Sequence, residues 1–324
     1  MNICVIGLGS MGRRRIRLLK KVKPDSIIVG IDNNVKRIEA VRTEYKIDCY
    51  SSIKDTNLQF DCAFVCTSPQ SHALIIKECL NRNIHVFSEI NLVGDLYDEN
   101  IQLANEKEKI LFLSSTFMYK QEMQFIDERV KQNPQPCVYQ YHVGQYLPDW
   151  HPWDKLSDFF ASHKNTNGCR EYLAIELPWL QNVFGKIEKI NIIKRKLTNL
   201  GLDFADMYLM QIEHENGNAG NFMVDVVSRQ AVRHLEVVNE NIYIRWDGTP
   251  DSLYEKDIRS GKFRQIQAGE YIHEKGYADF VNEYAYMKEI EEFFKVINGK
   301  KPVYGFEEDK ETLRIIYNIE DADA

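Results

Sequence analysis

The first thirty-two residues constrain the fold more than any other stretch of the chain. Asn2–Ile6 is a short apolar run that reads as a buried strand. It enters Gly7-Leu8-Gly9-Ser10-Met11-Gly12 directly. A helical segment over 13–22 follows, closed by Pro24, and a second apolar run over 26–31 ends at Asp32. Strand, glycine loop, helix, strand and acid form the order that a dinucleotide site requires. Gly7 permits the tight turn, Gly9 lets backbone approach a pyrophosphate, and Gly12 lets the helix pack close on the strand. The helix N-terminus beyond Gly12 adds free N–H groups and a positive dipole end, and Ser10 and Met11 of the loop join the cofactor candidates. Asp32 stands twenty residues beyond Gly12, where a carboxylate can hold a ribose 2′-OH. Its charge would repel a 2′-phosphate, whereas Arg37 nearby could accept one, so NAD is the expected cofactor and NADP the second choice.

With 324 residues the chain has room for two cores. A net charge of −7 carries no global basic bias, so neither nucleic acid nor an acidic membrane surface is an expected partner. The one basic cluster, Arg13, Arg14, Arg15, Arg17, Lys20, Lys21 and Lys23, reads as the solvated face of one helix, with Arg13 or Arg14 in reach of a phosphate. The 7 cysteines are scattered and form no CxxC pair, which argues against a zinc site or a disulfide framework. Reduced thiols in a cytoplasmic protein fit that usage, and no metal is expected. No signal peptide precedes the first strand, and no apolar run approaches membrane-spanning length.

Strands over 46–50, 61–66, 84–87 and 110–114 alternate with helices over 34–45, 73–81 and 95–109. That alternation predicts an α/β Rossmann domain, a doubly wound parallel sheet, over 1–118. Its ligand crevice lies beyond the carboxyl ends of the strands. There fall Thr67-Ser68-Pro69-Gln70-Ser71-His72 and Ser88-Glu89, so Thr67, Ser68, Pro69, His72 and Glu89 join the cofactor candidates. Beyond Pro134 and Pro136 the strands lengthen and alternate in character, over 138–146, 187–197, 204–213, 220–228, 235–238 and 242–246. Turn signals at 215–218 and 239–241 join them as hairpins. One helix is expected over 168–183 and two more over 277–297 and 307–319. The expectation for 119–324 is an α+β substrate and oligomerisation domain with an open, mostly antiparallel sheet. The strands over 204–246 need cover on both faces, which predicts a homodimer or homotetramer.

These motifs together resemble the Gfo/Idh/MocA oxidoreductases. The glycine loop with Asp32 carries the resemblance first. Residues 61–72 are similar to the family's strand ending in Thr-x-Pro and a histidine. Ile84-His-Val-Phe-Ser-Glu89 is similar to the run into Glu-Lys-Pro, and Thr116-Phe-Met-Tyr119-Lys120 to the segment that enters the second domain. Gly144-Gln-Tyr-Leu-Pro-Asp-Trp150-His151-Pro152-Trp153 is similar to a loop of the sugar-related branch. The resemblance implies a Rossmann domain that binds NAD or NADP. It also implies an enzyme that oxidises or reduces a carbon of a sugar, polyol or nucleotide-sugar.

The resemblance further implies a lysine in Glu-Lys-Pro and an acid–histidine pair for proton transfer. Here the lysine falls on Ile90 and the proline on Asn91; the acid falls on Tyr172 and the histidine on Ile175 or Glu176. A hydroxyl proton still has to go somewhere when its carbon is oxidised. His151, Lys120 and Glu176 are the substitutes, in that order, and Tyr119, Trp150, Glu171 and Tyr172 are the substrate candidates. His151 leads because its unperturbed pKa lies near neutrality. The second expectation is an NAD-binding protein of the same fold that has lost catalysis and serves as a sensor or assembly partner.

Overall fold

A computed structural model describes residues 1–152, 155–274 and 281–322. The chain forms two compact units. Residues 1–115 join 286–311 in the first, and 116–285 join the residues from 312 on in the second. The expected division at 118/119 left both last helices with the second domain, whereas 286–311 pack with the first.

The first unit is built on strands β1 (Asn2–Ile6), β2 (Ile27–Ile31), β3 (Asp48–Tyr50), β4 (Cys62–Val65), β5 (His85–Ser88) and β6 (Leu111–Leu113). They pair in parallel in the order β3-β2-β1-β4-β5-β6. The β1 and β4 strands show no alternation of buried and exposed side chains. Their residues from Ile3 to Ile6 and from Cys62 to Val65 are all buried, as a sheet covered on both faces requires. Between the strands run α1 (Ser10–Val22), α2 (Val35–Tyr45), α3 (Pro69–Asn81) and α4 (Tyr97–Glu106). Two of these helices start about a turn earlier than expected. The α1 helix begins at Ser10 rather than 13, with Gly9 as its N-cap. The α3 helix begins at Pro69, whose fixed φ suits the first helical position, so Pro69 to His72 form its first turn rather than a loop.

Arginines 14 and 15 correct the reading of α1 as one solvated basic face. Arg15 is fully buried, and its guanidinium reaches Glu89 Oε1 at 2.5 Å and Glu289 Oε2 at 2.7 Å. Arg14 is 5% exposed and lies 4.5 Å over the Tyr286 ring. All 7 cysteines are free and buried.

The second unit contains α5 (Gln121–Lys131), β7 (Val138–Gly144), α6 (Gly168–Phe184), β8 (Ile187–Arg195), β9 (Met207–His214), β10 (Ala219–Asp225), β11 (Val232–Val238), β12 (Tyr243–Trp246), β13 (Tyr254–Lys256) and β14 (Phe263–Gln265). The sheet runs β14-β13-β12-β11-β7-β10-β9-β8, antiparallel except where β7 meets β10. The helix α5 is absent from the sequence expectation, although Met123, Ile126 and Val130 form its buried stripe. The β13 and β14 strands, short and largely polar, are likewise unforeseen. Both hairpin turns form where expected; in the first, Gly217 takes a φ of +84° that other residues rarely adopt.

The last helices, α7 (Glu283–Ile297) and α8 (Phe306–Asp321), each cross from one unit to the other in sequence. The expected start of α7 at 277 lies outside the described residues, as does Trp153. Among the described residues no helix is long and apolar enough to cross a membrane.

Candidate functional site

The first unit presents a phosphate cradle made of backbone. Gly7 has a φ of +93°, and a Cβ there would stand 2.8 Å from the backbone of Cys66 and Thr67. A Cβ on Gly12 would stand 1.9 Å from the Gly7 carbonyl oxygen. The two glycines therefore let α1 start hard against β1 and β4. Gly9 differs, because a Cβ there meets nothing within 4 Å. Open space lies over Gly9, where a pyrophosphate would approach. The α1 N-terminus has no side-chain cap and no acid in its first turn, so the donors of its first turn stay free for an anion. Ser10 and Met11 occupy that turn. These features fit a dinucleotide.

Asp32 ends β2 and is 7% exposed. Its Oδ2 accepts from Leu8 N at 2.7 Å and its Oδ1 from Asn34 N at 2.8 Å, which aims the carboxylate back at the glycine loop. Remaining lone pairs are available to ribose hydroxyls. Arg37 Nη1 stands 3.7 Å from Asp32 Oδ2 and is half exposed. At the mouth of β4, Thr67 Oγ1 accepts from Ser71 Oγ at 2.7 Å, and Ser68 and Pro69 open α3.

Two expected cofactor residues have other partners. Glu89 gives both carboxylate oxygens to Arg15. His72 is 2% exposed, with Nε2 2.9 Å from the Thr67 carbonyl and Nδ1 2.7 Å from the Asn91 side chain. Burial holds its pKa below the ordinary value, so the ring is neutral and Nδ1 is an acceptor once Nε2–H donates to Thr67. The Asn91 amide turned end for end donates to Nδ1 and relieves its otherwise unpartnered, buried Nδ2. Asn91 thus braces the Thr67 loop through His72.

In the second unit a cationic cluster forms around Phe117. Lys120 Nζ lies 4.5 Å from the centroid of the Phe117 ring and 5.2 Å from that of Trp246. The Arg233 guanidinium lies 4.7 Å from the same Phe117 centroid. Lys120 is 7% exposed, and among the described residues its ammonium has aromatic faces but no hydrogen-bond acceptor. Burial pushes its pKa down to about 8; Arg233 adds to that effect, while Glu122 and Glu176 oppose it. A lysine in this state exchanges a proton near neutral pH.

Glu176, expected as a proton-transfer residue, has its carboxylate occupied. Its carboxylate is buried and accepts from Tyr141 Oη at 2.7 Å, Trp179 Nε1 at 2.6 Å and Arg233 Nη2 at 2.7 Å. With three donors on it, Glu176 holds Arg233 in place. One turn earlier on α6, Glu171 is the opposite case. Its Oε2 is buried with no partner, and burial raises its pKa to about 7. Tyr172 packs edge-on to Trp150 at 4.9 Å, and burial raises its pKa too. Trp150 Nε1 donates to the Gln145 carbonyl, and His151 stacks on Phe159 at 4.4 Å. Tyr119 is 8% exposed. Arg233 is the residue that sequence reading missed. The available signal was one arginine in an alternating run, Val232-Arg-His-Leu-Glu-Val-Val238, whose first half was not read as strand.

Residues 1–115 match the family described as "Oxidoreductase family, NAD-binding Rossmann fold", Gfo/Idh/MocA. No curated protein matches the chain. Among solved structures, an oxidoreductase from Agrobacterium radiobacter in complex with NAD+, L-tartaric acid and magnesium is 13% identical, with a TM-score of 0.80 over 98% of this chain and 94% of that one. UDP-N-acetylglucosamine 3-dehydrogenase from Acidithiobacillus ferrooxidans is 17% identical, with a TM-score of 0.75 over 99% and 96%. A levoglucosan dehydrogenase in complex with NADH and levoglucosan is 15% identical, with a TM-score of 0.77 over 98% and 96%. At these identities the likeness is one of fold.

Proposed function

We propose that this chain, whose residues 1–115 match the Gfo/Idh/MocA oxidoreductase family, is a member of that family and an NAD-dependent dehydrogenase or reductase of a sugar, polyol or nucleotide-sugar, acting in the cytoplasm. Gly7, Gly9, Gly12 and the α1 start would hold the pyrophosphate, and Asp32 a ribose. Bound NAD would supply the two-electron acceptor. Three of the similar folds cited above are oxidoreductases, two of them named for sugar substrates, which supports the substrate class.

The observation that carries the catalytic reading is the buried, acceptor-free ammonium of Lys120. In its neutral form Nζ has a lone pair that takes a carbinol proton; in its charged form it returns one to a carbonyl. Lys120 comes ahead of His151, whose ring lies against Phe159, and of Glu176, whose carboxylate is occupied. Arg233, fixed by Glu176, keeps the Lys120 ammonium from being overstabilised. Trp150 and Tyr172 would offer flat faces to a sugar ring, and Glu171 an acceptor for its hydroxyls. The test is a scan of sugars, polyols and nucleotide-sugars for reduction of NAD, with Lys120→Met beside the wild type. Turnover by wild type alone supports the proposal, and equal turnover by both removes Lys120 from the chemistry.

The surface of the second sheet supports self-association through its open face. Ile193, Leu209, Val138 and Val238 project from that face and are between 36% and 49% exposed. A dimer or larger assembly in light scattering, reduced to monomer by Leu209→Lys with Ile193→Lys, would support it; a wild-type monomer throughout would refute it.

A further inference from the structure

The second unit contains a cavity of about 550 Å³ that the chemistry proposed above does not use. It lies where the start of α6, the end of β8, the start of β9 and the end of α8 meet. Its volume is in the range that takes a small organic ligand. Its charge runs against that of the chain. Five basic and three acidic side chains line it, an excess of two positive charges in a chain of net −7.

The acids do not neutralise the bases evenly. Glu320 is taken by the Arg170 guanidinium and by Asn167 Nδ2, and its carbonyl accepts from Lys194 Nζ at 2.7 Å. Arg170 in turn lies 4.8 Å from the Tyr317 ring centroid. Among the described residues Lys164 and Lys196 line the cavity with no ion-pair partner, and Arg195 donates only to the Lys194 carbonyl.

A second observation is independent of charge. Tyr208, on β9, lines the same cavity and is 2% exposed, yet its hydroxyl has no hydrogen-bond partner among the described residues. The hydroxyl opens onto the cavity rather than into packed protein, so its donor and acceptor are both available to whatever occupies that space. A ligand atom in the cavity would answer it.

We infer that this cavity binds a small organic anion, a monosaccharide-sized body carrying a phosphate or carboxylate group. Lys164 and Lys196 receive the charged group, Tyr208 donates to it or to a neighbouring oxygen, and Tyr317 and Phe204 supply apolar walls. The site lies wholly in the second unit and does not depend on the assignment of Lys120.

The test is calorimetric titration of the full chain with glucose 6-phosphate, citrate and glucose, with and without saturating NAD. Binding of the phosphate or of the carboxylate, but not of glucose, is the expected result, and it identifies which anion the cavity takes. That affinity should fall at least tenfold in Lys164→Gln with Lys196→Gln, two exposed positions that leave the fold intact. It should also fall in Tyr208→Phe, which removes only an unpaired hydroxyl. NAD affinity should stay unchanged in both variants. Failure of both anions to bind overturns the inference. So does binding that is unchanged in the variants, or binding that NAD displaces, since that places the anion at the glycine loop.

Discussion

The nucleotide loop of the first unit and the cluster around Phe117 in the second are both polar constructions on a sheet, but they are built from different material. Around Gly7 the chain uses backbone: free N–H groups, a left-handed turn, and space that only missing Cβ atoms leave. Around Phe117 it uses side chains drawn from distant positions: Lys120, Tyr141, Glu176 and Arg233. A backbone site is tied to its glycines and leaves a fixed spacing in sequence. A side-chain site can meet the same chemical need from other positions, so a residue missing at Ile90 need not mean a function missing.

That contrast predicts graded losses. The largest belongs to Gly12→Ala. A Cβ 1.9 Å from the Gly7 carbonyl forces α1 off β1, so both folding and NAD binding should fail, as circular dichroism and calorimetry would report. A stable, NAD-binding variant would show that the close approach is not required.

Lys120→Met comes next. Loss of a general base costs about a hundred- to ten-thousand-fold in rate, and NAD affinity should be unchanged because the nucleotide loop lies elsewhere in the chain. A loss confined to NAD affinity would reverse the roles assigned to the two regions.

Gly9→Ala sharpens the backbone side of the comparison. Its Cβ meets nothing in the protein, so the melting temperature should hold. The same Cβ enters the space left for a pyrophosphate, so NAD affinity should fall by about tenfold or more, roughly 1.4 kcal/mol. Unchanged affinity would put the cofactor elsewhere.

The last effect is on stability alone and appears only at high pH. Burial raises the Glu171 pKa from 4.5 to about 7, so the folded state favours its protonated form. Its contribution is fully present below the unfolded value of 4.5 and is lost as pH rises through about 7. Glu171→Gln should therefore stabilise the protein at about pH 8, by up to roughly 3 kcal/mol, and do little at about pH 4. Equal shifts in melting temperature at the two pH values would refute the burial of a strained carboxyl.

The parallel sheet and its loops were legible because glycine spacing and buried apolar runs are local signals. Asp32 is in place for the same reason, two residues before the cap of α2. The helix α5 was hidden by its position at the domain entry, where a motif drew the reading instead of the stripe Met123, Ile126, Val130. Glu89 was placed at its strand end and His72 next to Thr67, but their partners, Arg15 and Asn91, come from sequence positions 74 and 19 residues away. Glu176 was located on the right helix, yet no local pattern shows that Tyr141 and Arg233 occupy its carboxylate. Arginines 14 and 15 looked solvated because a run of basic residues is usually a wet helix face; Glu289, far along the chain, makes burial of Arg15 tolerable.

The most direct test of relocated proton transfer is the pH profile of kcat/KM for oxidation, measured for the wild type, Lys120→Met and Ile90→Lys. On the proposed reading neutral Lys120 accepts the proton, so the wild-type rate should rise with pH to a plateau above about 8. That limb should be absent from the residual activity of Lys120→Met. Ile90→Lys should bring no gain. A wild type inert toward every sugar, with turnover appearing in Ile90→Lys, would contradict the account and leave a nucleotide-binding protein that has lost its chemistry.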